Sequence, residues 1–296
     1  MKNTIALTIN RMQLAMRNRL FLVFSLIMPL IFFFLFLGLF ARTSRAALLP
    51  AFGQVIGLTV MGNFWGLSVQ LVTFREQGIL RRFRLAPIGA TSMLISSIIA
   101  NYILTLPTLI IEFILAIAVF HMHSFGNLLG VFVLATLGVI SFASLGLIIA
   151  SVTNTMQETQ IINQIIWLGF LFLSGATLPL AMLPNFIQTT ALFLPATYLV
   201  NGLQRTLAQS IGLSALFPAV LSLIGTTLIA FTLSVKLFRW DQSEKATRTA
   251  KIWAASAIIP FLLLGAYEAW HGQLKNDARS VYSYMDRESP QRESPR

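Results

Sequence analysis

The sequence predicts an all-α, polytopic integral membrane protein, and three observations predict it. Fifty-six per cent of the 296 residues are hydrophobic, with 24 Phe and a mean hydropathy of +0.77. That is more apolar side chain than a soluble domain can hide beneath a wettable surface. Apolar runs nearly free of charge recur along the chain, of the length that crosses about 30 Å of hydrocarbon as a helix. Finally, Lys and Arg gather in alternate loops, as they do on the inner side of a membrane.

Before the first run lies "MKNTIALTINRMQLAMRNRL". Ile5, Ile9, Met12, Met16 and Leu20 recur at helical spacing, with Arg11 and Arg17 among the remaining positions. Residues 1–19 thus read either as an amphipathic cytoplasmic helix in the membrane interface or simply as the inner flank of the first span. The first span is 20–40, a retained signal anchor with Pro29 tolerated inside it. The second is 51–72, with Asn63, and the third is 93–120, with Asn101, Pro107 and Glu112. The fourth, 128–152, carries Gly130, Gly138, Ser141, Ser144 and Gly146, small residues that let helices approach closely. The fifth starts near Ile161, and the sixth covers about 214–237, closing a six-span domain over 20–238. Between them, the stretch from Asn185 to Gly212 is apolar but broken by Pro195, Asn201, Gln204 and Arg205. It predicts two short re-entrant helices that dip into the outer leaflet or lie on it. A basic linker, 239–251, leads to the apolar run 252–270. Its length permits a seventh crossing, while Pro260, Glu268 and the basic tail favour an interfacial helix. The polar tail 271–296 is expected to be disordered.

With the N-terminus inside, segments 1–19, 73–92, 153–160 and 236–251 hold thirteen Lys and Arg, against three outside. This orients a multi-pass protein of the cell membrane with a cytoplasmic N-terminus. The net charge of +11 then marks loops and anionic headgroups rather than nucleic acid. There is no cysteine, which excludes disulfides, a thiol nucleophile and thiolate metal sites. His121 and His123 have no third ligand beside them and read as a solvated turn, so no metal site is assigned.

The loop "FREQGILRRFRLAPIG", 74–89, carries more charge than topology needs. Arg75 and Glu76 leave the second span, and Gly78 permits a bend. Ile79, Leu80, Phe83 and Leu85 alternate with Arg81, Arg82 and Arg84, and Pro87 stops any helix before the third span. The pattern is a short amphipathic helix under the membrane with a charged face for a soluble partner. At these residues, and at "FLSGATLPLAMLPNFIQTTALFLPATYLVNGLQ" (172–204), the sequence resembles the type-2 ABC exporter permeases, over roughly residues 1–240. The resemblance implies a permease subunit pairing with a second permease, identical or related, above two cytoplasmic ABC ATPase subunits. It makes 75–87 the coupling helix, with Arg75, Glu76, Gly78, Arg81, Arg82, Arg84 and Pro87 as the ATPase-coupling set. The chain has no Gly-Lys pair followed by Ser or Thr, so no Walker A motif. Any ATP and Mg would therefore sit on the partner, with no cofactor and no catalytic residue here.

Glu112 lies inside the third span, where a carboxylate is expensive. It either lines a substrate path or holds helices together through Asn101, Asn163 or Gln164; the rival is an interfacial Glu near the outer end. Asn63 joins these as a candidate path or helix-contact residue. Two other function classes stand beside the exporter: an ion-coupled secondary transporter, for which Glu112 is the sole carboxylate in the first six spans, and a non-transporting assembly protein. Few charges in the spans point to an amphipathic or lipophilic substrate, with drugs, lipids, peptides and glycans all open.

Overall fold

The computed structural model describes residues 2–17, 19–41, 47–84, 89–241, 243–244 and 246–287. Among them every regular element is helical: α1 Lys2–Arg17, α2 Arg19–Ala41, α3 Leu48–Met61, α4 Asn63–Glu76, α5 Ile79–Arg84, α6 Ala90–Ala118, α7 Leu128–Val152, α8 Met156–Leu173, α9 Asn185–Ala191, α10 Pro195–Gln209, α11 Phe217–Lys236, α12 Arg248–Ser256, α13 Ile259–His271 and α14 Gln273–Arg287. Five described stretches are long and apolar enough to cross a membrane: Leu48–Glu76, Ala90–Ala118, Leu128–Val152, Ser214–Lys236 and Arg248–His271.

α7 is the central post, packed on α4, α10 and α11. Its small residues perform as their type predicts. Gly138, Ser141, Ser144 and Gly146 are all buried. A Cβ at Gly146 would come 2.3 Å from the carbonyl oxygen of Phe64, so only glycine lets α4 lie this close. Aromatic rings fill the interior edge to face, Phe52 on Phe113 at 4.9 Å and Phe142 on Phe170 at 5.5 Å. In the first span Phe33 is buried and Phe34 exposed, so its phenylalanines serve both the core and the outer surface.

The second span is broken at Gly62, between α3 and α4. There the Asn63 side chain donates to the carbonyl oxygens of Val60 (2.9 Å) and Thr59 (3.3 Å), supplying donors where the helical ladder is interrupted. α9 and α10 are the two short helices expected after the fifth span. α10 is buried nearly all round, against α3, α7, α11 and α14. At about 22 Å it is too short to cross the hydrocarbon.

Two expectations need correction. The fifth helix starts at Met156 rather than near Ile161, because Thr155 caps it: Thr155 Oγ1 accepts from the amide of Glu158 at 3.1 Å. The tail is not disordered over Gln273–Arg287. It forms α14, whose Leu274, Ala278 and Val281 sit one helical turn apart and are buried. In α1 the apolar stripe faces outward, with Ile5, Ile9 and Met16 exposed, while Leu7, Thr8, Arg11 and Ala15 face the protein.

Candidate functional site

At one end of the bundle the termini of α4, α7 and α8 are tied together. The last carbonyls of α7 have no intrahelical donor and carry the negative end of the helix dipole. Arg75, buried, donates from Nη1 to Ala150 O (2.9 Å) and from Nη2 to Thr153 O (2.6 Å). Arg239, beyond α11, donates from Nη2 to the same Thr153 oxygen (2.6 Å) and from Nε to Ser151 O (3.2 Å). Glu76 Oε1 accepts from the amide of Met156, the first residue of α8, at 2.8 Å. Burial holds the Arg239 guanidinium below its ordinary pKa, although Glu158 and Glu244 oppose that shift. Burial disfavours the ionised Glu158, but the Asn154 amide and the Lys251 ammonium outweigh it, so this carboxyl titrates below its ordinary range.

From this junction α5 projects. Gly78 adopts φ +68°, the left-handed conformation that ends α4 and turns the chain into α5. Leu80 is buried and Phe83 partly buried against Leu7, Leu71, Val72 and Met93. Arg81 and Arg82 are exposed, and Arg81 Nε lies 3.6 Å from Asp241 Oδ2. The coupling set predicted from the loop therefore separates by position. Arg75 is buried and Glu76 partly buried, and both bind helix ends. Arg81 and Arg82 form the outward face. The side chain of Arg84, and Pro87 entirely, lie outside the described residues.

The membrane candidates divide as well. Glu112 is fully enclosed, with Oε1 accepting from Thr59 Oγ1 at 2.5 Å. Its partner is thus Thr59, not Asn101, Asn163 or Gln164. A polar chain runs on from there: Asn63 Oδ1 accepts from Asn101 Nδ2 and from Thr105 Oγ1, both at 2.6 Å. Asn163 lies apart, exchanging hydrogen bonds with Ser68. Gln164 turns to the outer surface.

The sequence reading missed two arginines. Arg239 was counted only toward topology. Arg11 stands among the positions off the apolar stripe, yet it is buried with all three guanidinium nitrogens unpartnered and its Cζ 5.5 Å above the Phe74 ring. Burial lowers its pKa to about 10. Neither position carries a distinctive sequence signal. The capping pair did: "TMQE" is the Thr-x-x-Glu pattern of a helix start.

Long apolar helices around a glycine- and serine-rich post, with one end tied by the buried Arg75 and the partly buried Arg239 beside a short basic helix, define a polytopic helical membrane protein. Residues 2–208 match the family described as ABC-2 type transporter. The chain belongs to that family, and is accordingly a membrane-spanning transport component. It is similar to the "Probable multidrug ABC transporter permease YbhS" of Escherichia coli (strain K12), at 24% identity over 208 residues. That match covers 69% of this chain and 53% of the relative, with the same figures for the protein of that name from Escherichia coli O157:H7. The chain spans about half the length of the curated relatives it matches.

Proposed function

We propose that this chain is the permease subunit of an ATP-driven exporter, moving an amphipathic or lipophilic substrate from the cytoplasm or inner leaflet. A separate ABC ATPase, carrying the ATP and Mg, docks beneath α5, and a second permease chain completes the path. One observation carries this reading. α5 is joined through Gly78 to a junction in which Arg75 and Glu76 grip the ends of α7 and α8. A partner pushing on Arg81 and Arg82 therefore moves three helices, not a loose loop. The name of the multidrug relatives favours a lipophilic cargo. An ion-coupled carrier fits less well, since Glu112 is enclosed by protein and bonded to Thr59. The orientation, with α5 and the N-terminus cytoplasmic, follows the distribution of Lys and Arg.

The test is co-purification with an ABC ATPase encoded beside this chain, followed by ATP hydrolysis in proteoliposomes. Wild type is expected to retain the ATPase and to hydrolyse faster with a lipophilic substrate. Changing Arg81 and Arg82 together to Glu should abolish capture while the permease still inserts. Unchanged capture and stimulation in that variant would remove the coupling role from α5.

A further inference from the structure

We infer that residues 248–271 form a seventh transmembrane passage, and that it carries α14 to the outer face as a strap over the re-entrant helix α10. α11 runs from the α10 end of the bundle to the α5 end. α12 begins beside the α5 junction, where Lys251 Nζ lies 3.4 Å from Glu158 Oε1. Ala254 and Ala257 then pack with Ile148 and Ala230. Further on, Phe261 and Leu264 face Leu221 and Thr226, near the start of α11. Phe193, between α9 and α10, lies against Gly265. The 24 residues from Arg248 to His271 thus run antiparallel to α11 from end to end. At about 36 Å of helix they suffice for the crossing.

The outward face supports this. Ile258, Ile259, Leu262 and Leu263 are exposed along its middle, with Trp253 near one end and Tyr267 and Trp270 near the other. Apolar residues bounded by aromatic ones at both ends are the surface of a span, not of a helix lying flat. A flat helix would also leave α14 at the α5 end.

α14 instead sits on α9 and α10. Asp277 Oδ2 receives Arg205 Nη1 at 2.6 Å, Ser280 Oγ receives Gln209 Nε2 at 3.0 Å, and Lys275 Nζ donates to Thr189 Oγ1 at 3.0 Å. Leu274 joins the main core, and Ala278 packs with Leu180 and Ala191. Arg205 is an otherwise costly cation on a largely buried helix, and Asp277 supplies its counter-charge. α14 itself lies beyond the matched residues 2–208, while Thr189 and Arg205, which hold it, lie within them. Packing carries the crossing, and the orientation proposed above makes the α10 end the outer one.

The test uses the full chain, which has no cysteine of its own. Single variants Gln77→Cys, Ser214→Cys and Ser283→Cys are treated with a membrane-impermeant maleimide in intact cells and again after permeabilisation. Ser283→Cys is expected to react together with Ser214→Cys and opposite to Gln77→Cys. If Ser283→Cys instead follows Gln77→Cys, the crossing is overturned. If all three sides are inverted, the orientation fails while the crossing holds. For the strap, Gln209→Cys with Ser280→Cys should be joined by a short bis-maleimide, because the contact between these side chains runs through the length of the glutamine. Asp277→Arg should speed alkylation of a lone Gln209→Cys roughly tenfold, the scale of a lost charged hydrogen bond. Adding Arg205→Asp should restore the slow rate. Failure of the short bis-maleimide to join the pair, or an alkylation rate indifferent to Asp277, overturns the strap.

Discussion

Arg75 exchanges its hydration for two carbonyl oxygens at the end of α7, Ala150 O and Thr153 O. Hydrogen bonds from a charged donor contribute about 1.5–3 kcal/mol each, and a buried acceptor left bare costs about as much. Arg75→Met should therefore lower stability by about 2–4 kcal/mol, read as a fall in the unfolding midpoint of the detergent-solubilised protein. Arg11 is buried to the same degree but bonds to nothing polar. Replacing it by Met removes unsatisfied donors costing about 1–3 kcal/mol and forfeits a cation–π contact of about 0.5–2 kcal/mol with Phe74. The two nearly cancel, so Arg11→Met should stay within about 1 kcal/mol of wild type. Equal losses in both variants would mean that Arg11 holds a partner in the membrane. At Glu112, the Gln variant keeps an acceptor for Thr59, and the Leu variant loses a single neutral bond worth about 1 kcal/mol. Both should insert and fold. A Leu variant that folds normally but abolishes export would restore Glu112 to the substrate path.

The junction between α4 and α5 depends on one backbone conformation. Gly78 at φ +68° occupies a region that costs an L-residue about 1–2 kcal/mol, and a β-branched residue more. Gly78→Val should redirect α5 and weaken ATPase capture, whereas Gly78→Asn, which tolerates this region, should retain most of it. Equal capture by both variants would show that the angle of α5 is immaterial. Which elements could be read beforehand follows from how local their causes are. The bend at Gly78, the small-residue face of α7 and the broken segment around Pro195 are written in neighbouring residues, and the sequence shows them. The start of α8 was obscured because Gln157, Glu158 and Gln160 read as loop, although Thr155 marks the cap. α14 was missed for a different reason. Its apolar positions are diluted by charge, and the partners that order it, Thr189, Arg205 and Gln209, lie 71 to 86 residues earlier in the chain. No window along the sequence contains both halves of that contact. Glu112 and Arg75 show the same limit: composition identified them as unusual, but only packing says that they face Thr59 and the end of α7.

On the scale of the whole molecule, α8 presents a surface that does not suit lipid. Ile161, Ile165, Leu168 and Phe172 point outward, and Gln160 and Gln164 lie exposed among them. Amides facing hydrocarbon without partners cost several kcal/mol. In a symmetric pair each glutamine meets its own copy across the two-fold axis, so one row of residues satisfies both chains. Bulky apolar residues beside the amides would exclude lipid from the seam. For the exporter proposed above, this surface suits a second permease chain, and an identical copy meets the requirement. Ile165→Cys, at the middle of the row and 66% exposed, should cross-link to itself when membranes are mildly oxidised. Ile224→Cys on α11, also exposed, should stay monomeric under the same treatment. Interhelical bonds between such side chains contribute about 0.6–1.7 kcal/mol, so Gln164→Leu should lower the cross-linked fraction roughly threefold to tenfold at limiting protein. Cross-linking through Ile224→Cys alone would move the interface to α11. No cross-linking through Ile165→Cys when this chain is produced by itself would rule out the identical pair, and would leave the face of α8 to a related but different permease.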